Sequence, residues 1–229
     1  KYIYEHWKKY NSNISKKNPK YKNFNKYFFE KFNFYKNIIA PLEFDILKEQ
    51  SETGFNSPLT TSMGRFFDAV SSVLNLTHHA SYEGEAAVHL EMIADESVKE
   101  YYDFNFINNK SKNSDFKKNY FEIDDIYIFN QIITDIENKI DVKIISAKFH
   151  NTLAQIIEFI AIKVRKNRGI NKVAVAGGVF QNNILLKKTF KILKNNNFKI
   201  YSKFKVPVND GGISLGQAYM AAVNLLNKN

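Results

Sequence analysis

The sequence contains no cysteine. It therefore forms no disulfide, offers no thiolate to a metal and carries no cysteine nucleophile of its own. A metal would have to sit on oxygen or imidazole. Arginine is nearly absent: Arg65, Arg165 and Arg168 are the only ones among 33 basic residues, and lysine supplies the rest. The formal net charge of +10 thus lacks the clustered arginine forks and interleaved aromatics with which proteins read phosphates and bases. It reads as a solvated lysine-rich surface, and nucleic acid is not an expected partner. No apolar run approaches the ~20 residues of a membrane-spanning helix, and no signal-peptide pattern opens the chain. A cytoplasmic location without membrane contact is expected. Proline occurs four times and tryptophan once, so neither collagen-like nor proline-rich linker architecture is present.

What is present is a core. The chain has 229 residues, 44% of them hydrophobic and 15% aromatic, which suits one domain or one large lobe of something bigger. Residues 1–50 are rich in Lys, Tyr, Phe and Asn and read as helices, with loops around Asn11–Lys20 and Pro41. After a loop at Gly54–Leu59, one of Thr60, Thr61 or Ser62 can cap a helix whose apolar residues Met63, Phe67, Val70 and Leu74 recur three to four apart. Gly64, Asp68 and Ser71 are expected on its other face. Glu85–Ala94 reads as another helix. The aromatic and β-branched residues between Tyr101 and Ile123, flanking the polar Asn108–Asp115, predict a hairpin. Two helices follow, the second with Leu153, Ile156, Ile157, Ile160 and Val164 at core spacing.

The last sixty residues repeat one pattern twice. A short strand, Lys172–Ala176, runs into Gly177 and Gly178 and a helix bearing Leu186, Phe190 and Leu193. A second strand, Lys199–Lys205, runs through Val206-Pro-Val-Asn-Asp-Gly-Gly212 into a helix with the stripe Leu215, Ala218, Tyr219, Ala222 and Val223. Strand, glycine loop and helix, twice over, predict an α/β layer with a parallel pair and a right-handed crossover. Ligands in such sheets bind beyond the carboxyl ends of the strands, where both glycine loops fall.

Each motif admits two readings on spacing alone. In Ala176-Gly-Gly-Val-Phe-Gln-Asn182 the glycines could admit a ligand, with the N–H groups of the next helix favouring an anion. Equally, the segment could be a tight turn with Asn182 as helix cap. It is not a Walker loop, because no Lys followed by Ser or Thr closes it. In Val208-Asn-Asp-Gly-Gly212 the aspartate could reach a metal or phosphate-bound magnesium, or the segment could be an Asx turn that starts the last helix. Gly64 at a helix start suggests close approach by a ligand or by backbone. Arg65 and Asp68, three apart, suit a surface ion pair. His78 and His79 are neighbours and cannot share one face, so a zinc site with His89 is disfavoured. His150 shares a helical face with Leu153 and Ile157 and reads as a half-buried, hydrogen-bonded histidine.

Taken in order and spacing, Ser57-Pro-Leu-Thr-Thr-Ser-Met-Gly-Arg-Phe-Phe-Asp-Ala-Val70, Ser81-Tyr-Glu-Gly-Glu-Ala-Ala87, Lys148-Phe-His150, Ala176-Gly-Gly-Val-Phe-Gln-Asn182 and Val206-Pro-Val-Asn-Asp-Gly-Gly-Ile-Ser-Leu-Gly-Gln-Ala218 resemble the C-terminal part of the HypF carbamoyltransferases of NiFe-hydrogenase maturation. The resemblance is dense from Ser57 onward and thin over residues 1–50. It implies an α/β lobe of the actin-like ATPase (ribonuclease-H-like) superfamily, a parallel or mixed sheet with flanking helices, in which residues 1–56 form a helical N-terminal portion and 57–229 the second lobe of a TsaD-like domain.

The resemblance further implies transfer of a carbamoyl group from carbamoyl-adenylate, made from ATP with magnesium by upstream domains of the same polypeptide, to the C-terminal cysteine thiol of a HypE-type partner. Carried over by position, Asp210 would ligate a zinc or iron ion and serve catalysis. Gly177, Gly178 and Asn182 would hold the nucleotide, with Thr61 and Gly64 touching it from the other side. The family's metal-binding histidines are not reproduced in residues 1–56, where His6 stands alone. The chain by itself is thus expected to hold one metal ligand and half a nucleotide site, and not to turn over. A threonylcarbamoyl- or O-carbamoyl-transferase of the same fold, and a non-catalytic docking lobe, are the alternatives.

Overall fold

A computed structural model describes residues 24–58, 60–109, 120–202, 206–207 and 209–226. The expected loop at Asn11–Lys20 and most of the polar hairpin tip lie outside them. Helix α1 (Phe24–Lys31) leads through a short 3-10 turn at Asn33–Asn37 to α2 (Pro41–Thr53), where Pro41 occupies the first helical position, a place that needs no N–H donor. Then come α3 (Met63–Val73) and α4 (Glu85–Ile93), the strands β1 (Phe106–Asn109) and β2 (Tyr120–Ile123), and α5 (Asp125–Glu137) and α6 (Val142–Arg168). The chain continues through β3 (Lys172–Ala174), α7 (Asn183–Asn195), β4 (Lys199–Tyr201) and α8 (Ile213–Leu226).

Helix α6 is the axis of the packing. Its 27 residues make it about 40 Å long at ~1.5 Å per residue. Asp141 starts it by accepting a bond from the Lys143 N–H at 2.9 Å. Arg165, Lys166 and Arg168 occupy its last turn, where cations suit the helix dipole. Its Ile145, Phe149, Leu153 and Ile156 are buried in one cluster with Phe66, Phe67 and Val70 of α3, Ile128, Phe129, Ile132 and Ile133 of α5, and Phe28, Phe32, Tyr35 and Phe44 of the first helical segments. The rings of Phe66 and Phe67 meet that of Phe149 edge-on at 5.3 and 4.9 Å, an arrangement favoured by the ring quadrupoles. Ser71 departs from expectation and is fully buried. It follows Phe67 by four residues and so shares its stripe rather than opposing it.

The extended segment after α4 is strapped to α6 by side chains, because it has no strand partner for its own polar backbone. Asn151 donates to the carbonyls of Val98 (3.0 Å) and Glu100 (2.8 Å), and Thr152 accepts from the Tyr102 N–H at 2.8 Å. The Tyr102 hydroxyl donates to Asp135, which Lys148 also pairs. Burial and that carboxylate push the phenol well above its usual range.

The hairpin and the parallel pair both form, as two separate two-stranded sheets rather than one mixed layer among the described residues. β1 and β2 are antiparallel; β3 and β4 are parallel, with Val173 opposite Ile200, and α7 is the crossover between them. β3 ends two residues short of the expected Ala176, while residues 203–205 of the expected second strand lie outside the described residues. Under them Ala161, Leu193 and Phe198 form a small second cluster.

Two expected apolar faces are more exposed than their spacing suggests. Val164 at the end of α6 is 39% exposed. No residue of α8 is buried, and Leu215 and Tyr219 of its stripe are exposed. Periodicity establishes that a face is apolar but does not supply a surface to cover it. No helix among the described residues is long and apolar enough to cross a membrane.

Candidate functional site

Because β3 and β4 run parallel, the loops leaving their carboxyl ends emerge at one edge. The first turns at Gly177, with φ +108° and ψ 155°, a region essentially restricted to glycine. A Cβ there would meet nothing within 4 Å, so the requirement lies in the backbone and not in space. A short 3-10 turn, Gly178–Gln181, follows, and then Asn182. In the second loop Asn209 accepts the Gly211 N–H at 3.2 Å and starts the turn Asp210–Gly212, an Asx arrangement. A Cβ on Gly212 would overlap the Pro207 carbonyl oxygen, so that glycine is there for close backbone approach.

The two loops meet the start of α3 and the Glu83–Gly84 turn around a cavity of about 530 Å³. That volume falls in the usual range for small-molecule and cofactor sites. Gly64, Gly178, Asn182 and Asp210 all line it. Thr61 precedes the lining Ser62 and is exposed; Gly177 sits one residue before the lining Gly178 and shapes the loop without reaching the wall. Arg65 and Asp68 line the cavity too, joined by an ion pair at 3.1 Å.

The electrostatics of this wall oppose those of the whole chain. Among the described residues, Asp68, Glu83, Glu91 and Asp210 line the cavity together with one guanidinium, that of Arg65. Four carboxylates against one cation make it acidic in a protein of net charge +10. An anionic ligand would need a cation beside it to enter.

Asn182 is committed from both ends of its amide. Its Oδ1 accepts the Leu185 N–H at 2.9 Å and caps α7, while its Nδ2 donates to His150 Nε2 at 2.9 Å. It is buried, and of the two readings open in the sequence the helix cap describes its side chain. The Asn183 N–H is likewise taken, by the Glu91 carboxylate at 2.8 Å. Two first-turn donors of α7 are therefore satisfied internally, and a carboxylate stands where an anion would approach.

His150 is fully buried rather than half-buried. Its Nδ1 lies 2.8 Å from the Ser146 carbonyl, which can only accept, so Nδ1 carries the proton and Nε2 is free to accept from Asn182. Desolvation pushes its pKa down to about 4, leaving it neutral.

Two other histidines have local partners. His78 bonds Ser72 Oγ (3.2 Å) and Asn75 Oδ1 (2.8 Å), and His89 bonds Thr77 Oγ1 (2.6 Å). Among the described residues no group of three or more His, Cys, Asp or Glu is placed to hold a metal ion. Asp210 is a single exposed carboxylate, so these residues alone do not fit the zinc or iron centre that the resemblance implies. Sequence reasoning gave no role to Glu83, although its Ser81-Tyr-Glu-Gly84 segment stood out. Glu91 carried no signal at all: it lies in an ordinary helix, and its partner Asn183 is 92 residues away.

Comparison with known proteins shows what the chain as a whole is similar to. Residues 5–217 match a family model described as carbamoyltransferase, Kae1-like domain, second subdomain. A carbamoyltransferase HypF of Synechocystis sp. is 36% identical over 162 residues, covering 70% of this chain and 19% of that protein. The crystal structure of a full-length HypF in a phosphate- and nucleotide-bound form superposes with a TM-score of 0.74 at 38% identity, over 86% of this chain and 25% of that one. The crystal structure of HypF from T. kodakarensis gives 0.66 at 26% identity, over 81% and 23%. The chain thus spans between about a fifth and a quarter of each of these three proteins.

Proposed function

We propose, because this chain belongs to the HypF carbamoyltransferases as the second subdomain of their Kae1-like domain, that it forms one wall of a nucleotide cleft used for carbamoyl transfer in hydrogenase maturation. The observation that carries the reading is the meeting of four sequence-distant segments, around Gly64, Glu83, Gly178 and Asp210, at one cavity. The nucleotide-bound state of a similar HypF structure supports it.

In this reading ATP or carbamoyl-adenylate is the guest. Gly64 and Gly178 each give the wall a position without a side chain, leaving room for a flat base and its sugar. Gly177 sets the course of the loop, and Thr61 extends the opposite rim. Magnesium carried by the phosphate would be held at such a wall by carboxylates such as Asp68 and Asp210, which suit its oxygen chemistry. Arg65, paired with Asp68, is the cation that the described residues bring to this wall.

The acceptor is the C-terminal cysteine thiol of a HypE-type partner, its sulfur attacking the carbamoyl carbon. The carbon–oxygen bond to the phosphate breaks, AMP leaves and the thiol proton is lost. Asp210 is the carboxylate this chain offers to the reaction zone. A zinc or iron ion there would need donors beyond the described residues.

The test is Asp210→Ala in the full-length protein. Adenylate formation upstream should persist while carbamoylation of the partner thiol, followed by intact mass, falls at least a hundredfold, in the range of losing a transition-state contact of ~3 kcal/mol. Thiol carbamoylation at the parent rate would remove Asp210 from the chemistry.

A further inference from the structure

We infer that His150 is a positioning residue of this cleft, orienting the amide of Asn182 and through it the loop that forms one wall of the cavity. The inference rests on the nucleotide reading above for its functional half. It concerns a buried residue that does not itself line the cavity but bonds Asn182, which does.

The argument is one of hydrogen-bond polarity. The Ser146 carbonyl accepts and cannot donate, which places the His150 proton on Nδ1 and makes Nε2 an acceptor. An acceptor at Nε2 selects the donor end of the Asn182 amide, at 2.9 Å. The other end, Oδ1, is thereby turned toward the Leu185 N–H, also at 2.9 Å, and caps α7. A wrong amide orientation would set two donors against each other at Leu185. The ring itself has little freedom, since Phe67 packs against it at 5.6 Å and it is fully buried.

The relay therefore runs from the interior of α6 to a residue that closes the glycine loop. Gly178, Val179, Gln181 and Asn182 all line the cavity, so the course of that loop is the shape of the wall. Both ring nitrogens are engaged. His150 is accordingly no proton carrier for the reaction; it holds geometry. A local loosening of the loop shifts wall positions by fractions of an ångström and weakens a ligand seated against it.

The test compares His150→Phe, which fills the space without an acceptor, with His150→Gln, whose side-chain oxygen can take the place of Nε2. Both are made in the full-length protein and followed by hydrogen exchange of peptides covering residues 177–186. Exchange is measured without nucleotide and across a titration with the magnesium complex of a non-hydrolysable ATP analogue. His150→Phe should speed exchange in that segment, leave α5 peptides unchanged and raise the analogue concentration for half-protection about tenfold. His150→Gln should match the parent in both. Unchanged exchange in His150→Phe overturns the inference, as does equal damage in His150→Gln, because then the acceptor atom is not what matters. Faster exchange with unchanged half-protection overturns its functional half and puts the fault in the nucleotide reading. A parent protein that the analogue leaves unprotected sinks that reading itself, while the exchange rates still judge the hydrogen-bond relay.

Discussion

Replacing Asn182 by alanine removes two buried hydrogen bonds at once, and their separate contributions can be added because they serve different partners. Loss of the cap on the Leu185 N–H costs about 1 kcal/mol, as helix N-caps do. Loss of the donor to His150 Nε2 leaves a fully buried acceptor unsatisfied, which costs about 1–3 kcal/mol more. The sum, about 2–4 kcal/mol, corresponds to a fall in Tm of roughly 4–16 °C for a chain of this size. Urea unfolding followed by far-UV circular dichroism measures the free energy, and a thermal scan measures the shift. Asn182→Ser separates the parts: its hydroxyl can cap the helix but is too short to reach the imidazole, so it should recover about 1 kcal/mol of the loss. A cost below about 1 kcal/mol for Asn182→Ala would refute the reasoning, since a buried acceptor cannot be abandoned so cheaply.

Two further outcomes follow from the same region. His150 has a folded pKa near 4, depressed by desolvation, against about 6.5 when unfolded; the unfolded chain therefore binds the extra proton first. This contribution to stability is intact above about pH 6.5 and shrinks as pH falls toward 4, by roughly 3 kcal/mol in all. Denaturation at pH 7.5 and 4.5 should show that slope in the parent and a flatter one in His150→Gln; parallel slopes refute it. The neighbouring glycines should also part company. Gly177→Ala is strained by its backbone angles and should lose about 1–3 kcal/mol, whereas Gly178→Ala meets nothing within 4 Å and should keep the parent Tm within about 2 °C. If the cavity holds a nucleotide, Gly178→Ala weakens it nonetheless, by placing a methyl group on the wall, and equilibrium binding of a magnesium–ATP analogue will read that effect.

Much of the fold was legible because its causes are local. Aspartate at 141, glycine at 169 and the basic last turn delimit α6, and all act within a turn of the helix they bound. The hairpin and the parallel pair were foreseeable from period and punctuation, while their lengths were not, since a strand extends only as far as its partner pairs with it. The burial of Ser71 is local too, since it stands four residues after Phe67 and shares its stripe. The stripe on α8 was readable as apolar, but its exposure was not.

At the candidate site the same division holds. Sequence alone determined the glycine-specific backbone at Gly177 and offered the Asx turn at Asn209 as one of two readings, because both are decided within a few residues. Tertiary structure alone decided that Gly64, Gly178 and Asp210 share one cavity, that its wall is acidic, and that Glu91 caps the start of α7 from 92 residues away. It alone joined His150 to Asn182 across 32 residues. The physical reason is that a hydrogen bond or a charge acts over a few ångströms of space, and only the packing of helices about α6 converts long separations along the chain into such distances.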